Sequence, residues 1–246
     1  MLMTLAATLV HGQSKPESKF KQRAESEYLH SQQQFQSNTN DATIGWQFAR
    51  ACYDMVDFAT NKVQRASIAR EGIAACRQVI NGEPTNVAAH YYLAMDLGQL
   101  ASTETLGALK IVKEIEREFK TAADLGEKFD YAGAARGLGL LYRDAPGWPI
   151  SVGSRKKARQ WLGQAVELSP QDPENHLNLI ESRIKWSDHA GAQNELKILN
   201  QLWPSARTNF TGAAWESSWD DWTKRRDAAQ QHLEDTNAPK SPVHSP

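Results

Sequence analysis

The chain has 246 residues, with 28 Lys and Arg against 29 Asp and Glu. That balance gives no electrostatic reason to expect nucleic acid or an anionic membrane as partner. An apolar share of 40% and a charged share of 23% are ordinary for a folded soluble protein, of a length that suits one elongated domain or a short solenoid.

Residues 1–12, MLMTLAATLVHG, carry no Lys or Arg, and small or neutral residues precede a polar stretch from Gln13. They read as the apolar region and cleavage site of a secretory signal that lacks its basic start. The run is too short to span a bilayer, which needs about 20 apolar residues, and no later segment approaches that length. The expected location is therefore the periplasm or the exterior, with the cytoplasm as the alternative.

Residues 13–42 are rich in Gln, Ser, Lys and Glu, and only Phe20, Ala24, Tyr28 and Phe35 mark a stripe, so a polar lead-in helix is expected. From Thr43 onward, helical patterns alternate with breaks at Asn81-Gly82-Glu83-Pro84, Ala145-Pro146-Gly147-Trp148-Pro149, Ser169-Pro170-Gln171-Asp172-Pro173 and Trp203-Pro204. Proline lacks an amide donor and its ring clashes with the preceding turn, so a helix is expected to end at each. No strand alternation appears. Cys52 and Cys76 lack metal-ligand spacing. They are read as two small buried side chains, with one disulfide between neighbouring helices left open for an exported protein.

The stripe Ala158, Leu162, Ala165 and Pro170 recurs as Ala192, Leu196, Leu199 and Pro204, 34 residues later. Ala69, Ile73, Cys76 and Ile115, Phe119, Ala122 repeat its first part, giving successive offsets of 46, 43 and 34. Spacings of four and three put these side chains on one helical face. Each is preceded by a partner helix: Trp46 to Tyr53, then His90, Leu93 and Leu97, then Leu138 to Tyr142, then His176, Leu179 and Ile180.

At these residues the chain resembles the tetratricopeptide repeat family over roughly 43–204. The resemblance implies an all-α solenoid of about four helix pairs, whose first helices form a concave wall. A helix at 205–235 is expected to cap it, with Trp215, Trp219 and Trp222 on one stripe, and 236–246 to form a disordered tail. The loop Ala145–Ala158 and the helix Lys110–Asp124 are similar to the repeat subunits associated with bacterial TRAP transporters, and more distantly to the regulators of microtubule dynamics. That similarity implies a periplasmic protein that binds a solute receptor or transporter subunit, and it is compatible with a homo-oligomer.

Searched for chemistry, the sequence shows no metal-binding, phosphate-cradling or nucleophile motif, so no catalytic residue, cofactor or metal is expected. His90 and His176 stand at equivalent places in their repeats, which points to packing or helix-end roles. Glu216, Asp220 and Asp221 read as a solvated helix face.

Counted along the first helices, the concave wall takes Gln47 and Asp54, Tyr91 and Met95, Arg136, Leu140 and Arg143, and Glu181. Arg136 and Arg143 either fork to an acidic group of a partner or pair with neighbouring acids. On the first reading, Arg136→Ala with Arg143→Ala leaves the helical content intact and weakens capture. The expected function is a non-catalytic scaffold for a protein partner. The alternative is a small-molecule carrier with Trp148 as a lid over a pore or pocket.

Overall fold

The structure is a computed structural model and describes residues 15–103 and 108–237. In chain order the helices are α1 Lys15–Ser37, α2 Ala42–Val56, α3 Lys62–Gly82, α4 Val87–Thr103, α5 Ala108–Leu125, α6 Gly133–Asp144, α7 Arg155–Leu168, α8 Pro173–Lys185, α9 His189–Asn209 and α10 Glu216–Asn237. A 3-10 turn, Ala213–Trp215, precedes the last of them. The expected signal at 1–12 lies outside the described residues. So does the tail beyond 237, while residues 236 and 237 belong to α10.

Local chemistry sets the helix starts. Asp41, Asn61, Ser154, Asp172 and Asp188 each accept a hydrogen bond from an amide of the first turn, which would otherwise have no partner. Pro173 stands at the first position of α8, where a missing amide costs nothing. α3 ends at Gly82, inside the break at 81–84, and α6 ends at Asp144, just before the break at 145–149.

Trp203-Pro204 is a correction, because α9 runs through Pro204 to Asn209. The turn beyond the proline buries Ala206 and leads into Phe210, and that burial outweighs one lost backbone bond. Because of this, the cap begins with the end of α9 rather than with a new helix at 205.

α2 packs on α3, α4 on α5, α6 on α7 and α8 on α9, and successive pairs stack mainly through the second helix of one pair against the first helix of the next, with the first helices also in contact. The repeated stripe is the reason. Ala69, Ile73 and Cys76, Ile115, Phe119 and Ala122, Ala158, Leu162 and Ala165, and Ala192, Leu196 and Leu199 are all buried. Small residues at the stripe ends let the paired helix approach, and the larger middle residue fills the space between. One pair alone would leave this face in water, so each pair depends on its neighbours.

At the far end α10 packs on α8 and α9. Trp219 and Trp222 are buried with Phe210, and Trp215 packs beside them. The Trp219 indole donates to the Phe210 carbonyl at 2.6 Å and the Trp222 indole to Glu174 Oε2 at 2.6 Å. The tryptophan stripe is therefore core. Cys52 and Cys76 are both free and buried. Burial, reinforced by Asp96, pushes both thiols up and keeps them protonated.

His90 and His176 share one device. In each, Nε2–H donates to the carbonyl of a proline six residues back, Pro84 at 2.9 Å and Pro170 at 2.8 Å. Nδ1 meets a buried glutamate of the paired helix, Glu118 or Glu195, at 2.6 Å. The ring thus ties the turn before its helix to the partner helix behind it, which explains the equivalent positions in the repeat.

Candidate functional site

The wall formed by α2, α4, α6 and α8 is built differently along its length. On α2, Gln47 and Asp54 are exposed, and Arg50 between them is also exposed, with Nε 3.9 Å from Asp54 Oδ2. Positions 47, 50 and 54 form one stripe on the helix. Asp54 reaches solvent, but it lies in the hollow of the wall. Lost hydration there pushes its carboxyl up to about 6, with Arg50 opposing and Asp57 and Asp130 reinforcing. Burial likewise raises Asp57, with Arg65 opposing and Asp221 of the capping helix α10 reinforcing.

On α4, Tyr91 is buried, a correction to its placement on an open wall, and Met95 is partly buried. The Tyr91 hydroxyl donates to Asp130 Oδ2 at 2.6 Å. Asp130 opens a turn in which three successive non-glycine residues, Asp130, Tyr131 and Ala132, have φ of 49°, 54° and 64°. Left-handed backbone costs an L-residue on the order of 1–2 kcal/mol, so the turn has to be held in place. Arg136 donates to Asp130 Oδ2 at 3.2 Å, and Tyr131 sits edge-on to Phe210 and Trp215.

Arg136 is the hub of this region. Besides Asp130, its guanidinium donates to Asn175 Oδ1 at 3.0 Å and Asp172 Oδ2 at 3.5 Å, and its side chain is only 14% exposed. Burial alone would lower its pKa, but Tyr91, Asp172, Asp130 and Glu174 outweigh burial and hold the charge. Burial also pushes the Asp172 carboxyl up to about 6, opposed mainly by Arg136.

Arg143 donates to Asp144 at 2.7 Å and to Ser182 Oγ at 3.1 Å. Both arginines are therefore committed within the chain, so of the two readings offered by the sequence the structure takes the pairing with neighbouring acids rather than the outward fork. Removing them takes away the ties between α6 and α8, so the double alanine substitution acts on stability as well as on any partner.

Glu181 is covered. Arg225 of α10 donates to Glu181 Oε1 at 2.7 Å and to Glu174 at 2.9 Å, and to Asn178 Oδ1 at 3.0 Å. The cap thereby occupies the α8 end of the wall. Leu140 remains partly buried on α6. At the other end, the first half of α1 reaches the cap: Lys19 pairs with Glu216 at 2.6 Å and Arg23 donates to the Ala213 carbonyl. The part of the wall that stays open is the α2 stripe, with Met95 and Leu140 beyond it.

Trp148 is 89% exposed and covers no cavity, which corrects its role as a lid. The clefts lie elsewhere. One of about 480 Å³ lies between α9 and α10, and one of about 340 Å³ between α3, α4 and α5. Among the described residues, no group of three or more His, Cys, Asp or Glu is placed to hold a metal ion. No described helix is long and apolar enough to cross a membrane.

Gln47 and Asp54 were read from the sequence as wall residues, whereas Arg50 was missed, although its place four residues before Asp54 was a signal that could have found it. Asp130, Asn175 and Arg225 were not legible, since nothing local shows that they converge on Arg136 and Glu174.

Several solved structures resemble this chain in fold. A thermophilic tetratricopeptide protein from Thermus thermophilus superposes with a TM-score of 0.63 at 16% identity, covering 85% of this chain and 92% of its own. MamA does so with a TM-score of 0.52 at 11% identity, covering 78% and 96%. The fold is tetratricopeptide-like. The family model described as regulator of microtubule dynamics protein 1-3 matches residues 10–130. A comparison with curated proteins finds no match.

Proposed function

We propose that the chain is a non-catalytic scaffold that holds a protein partner along its inner wall, with Gln47, Arg50 and Asp54 of α2 as the recognition stripe. One observation carries this reading. These three are exposed on the concave side, whereas Arg136, Arg143 and Glu181 are spent on internal bonds. Stacked helix pairs create extended concave surfaces of the kind that take up protein segments. A cation and an acid four residues apart suit a segment that itself carries both signs. The solenoid shape of the neighbouring structures supports a protein partner over a small molecule.

In its finer form the proposal places the protein in the periplasm, with a solute receptor or transporter subunit as partner. The apolar residues 1–12 and the likeness of Ala145–Ala158 to TRAP-associated subunits support that placement. The family match over 10–130 is compatible with a shared repeat scaffold, and the apolar start argues against a microtubule role.

The test is capture of partners from the native cell envelope by the tagged chain, beside a variant carrying Arg50→Glu and Asp54→Lys. Both sites are exposed, so the variant should keep its helical spectrum. The expected result is one protein captured at near-stoichiometric yield by the parent and lost by the variant. Equal capture by both would overturn the assignment of the stripe. Capture of cytosolic proteins alone would overturn the periplasmic placement.

A further inference from the structure

The near balance of charge over the whole chain hides one local segregation. Residues 145–166 contain four cations, Arg155, Lys156, Lys157 and Arg159, and no acid. Immediately before the cations, the loop 145–154 joins α6 to α7, at the edge of the solenoid where each first helix turns into its second.

This loop is pinned. The Gly153 amide donates to Pro146 O at 2.9 Å, Ile150 to Gly147 O at 3.0 Å, and Ser154 to Tyr142 O at 2.9 Å. Val152 packs against the main core. Gly153 is required by close approach, because a Cβ there would stand 2.1 Å from the Ala145 carbonyl oxygen.

What the pinned backbone holds outward is Trp148, with Ile150 beside it at 66% exposure. In a slack loop the indole would fold onto the nearest apolar surface, since water drives it there. Here the hydrogen-bonded base keeps both side chains off the body.

We propose that this loop is a membrane-interface anchor, in which Trp148 and Ile150 enter the headgroup boundary of an anionic bilayer and the first turns of α7 lie against its phosphates. Indole rings favour that boundary because one end is apolar and the other can hydrogen-bond, and clustered Lys and Arg add attraction to anionic lipid. The cations are ordered. Arg155 and Arg159 lie over the Trp186 ring at 5.5 and 5.3 Å, and Lys157 over Tyr142 at 4.8 Å, while Lys156 is exposed.

The acids beside this loop are already engaged, and Asp57 stands farther off at the α2–α3 turn. Asp188 is 3.6 Å from Arg159, and Asp144 is 2.7 Å from both Arg143 and Lys185. Lys62 and Val63 open α3 at another turn on the same edge, with Val63 81% exposed. Projecting apolar tips flanked by cations suit a fluid, deformable anionic surface better than the sculpted face of a protein. Docked by this edge, the solenoid leaves its inner wall free for a partner.

The test is co-sedimentation of the full chain with vesicles of phosphatidylcholine alone and of phosphatidylcholine with roughly one third phosphatidylglycerol. The expected result is binding to the anionic vesicles that weakens with salt, and little binding to the neutral ones. Trp148→Ala should lower partitioning about tenfold or more, and Lys156→Glu should lower it several-fold. Both side chains are exposed, so an unchanged helical spectrum controls for folding. Absence of sedimentation with anionic vesicles would overturn the proposal, as would binding that Trp148→Ala leaves intact. So would an acidic protein captured through Trp148 by a chain that ignores vesicles.

Discussion

The side chain of Asp96 on α4 is fully buried, and neither carboxyl oxygen has a hydrogen-bond partner. It lies against the backbone of α3, where a Cβ on Gly72 would stand 2.1 Å from Oδ2. Burial, with Asp54 adding to it, pushes this carboxyl well above the usual carboxylate range, so the folded protein keeps a proton that the unfolded chain releases. The sign follows from linkage. Stability from this group is fully present below the unfolded value, near pH 4, and is lost as pH rises toward the folded value.

In that window the parent should lose on the order of 1 kcal/mol of stability per pH unit relative to Asp96→Asn, which has the same shape and no proton to lose. As pH rises from about 5 the gap between the two proteins should therefore widen steadily in favour of the asparagine variant. Asp54 and Asp172, both near 6, add slopes of the same sign, but both proteins contain them and they largely cancel in the difference. Urea unfolding of both proteins at several pH values, followed by circular dichroism, measures the gap. Parallel stability curves would refute the reasoning, because they would mean that Asp96 carries its charge in the fold or finds a partner for it.

Two further predictions concern packing. Gly72→Ala should cost about 1–3 kcal/mol in the parent by driving a methyl into the Asp96 carboxyl, and little or nothing once Asp96→Ala has made room, as urea midpoints would show. Equal losses in both backgrounds would place the strain elsewhere. His176→Ala should cost about 3 kcal/mol by stranding buried Glu195 with only Arg183, 3.4 Å away, beside it. Adding Glu195→Ala should recover part of that loss, and strict additivity in the same unfolding assay would sink the coupling.

Periodicity determined the larger part of the architecture. Spacings of four and three at Ala158, Leu162 and Ala165 and their repeats can be buried only by a second helix, and a chain of such pairs can be buried only by stacking. Proline and glycine placed the breaks because their effects on the backbone are local, except at Pro204, where burial of Ala206 and Phe210 beyond it outweighed the local rule. The tryptophan stripe of α10 was legible for the same reason as the repeats.

The wall was not legible in this way. The sequence placed Arg136, Arg143 and Glu181 together on the first helices. Whether a charged side chain there meets solvent or a neighbour depends on what the next first helix brings within about 3 Å. Asn175, Ser182 and Arg225 come from other helices, 39 or 44 residues away in the chain. Trp148 shows the same limit from the other side, since its outward direction is set by hydrogen bonds that close the base of its loop. Side-chain period is written locally in the chain. Pairing across helices and the direction of a loop are decided by distances that exist only once the solenoid has closed.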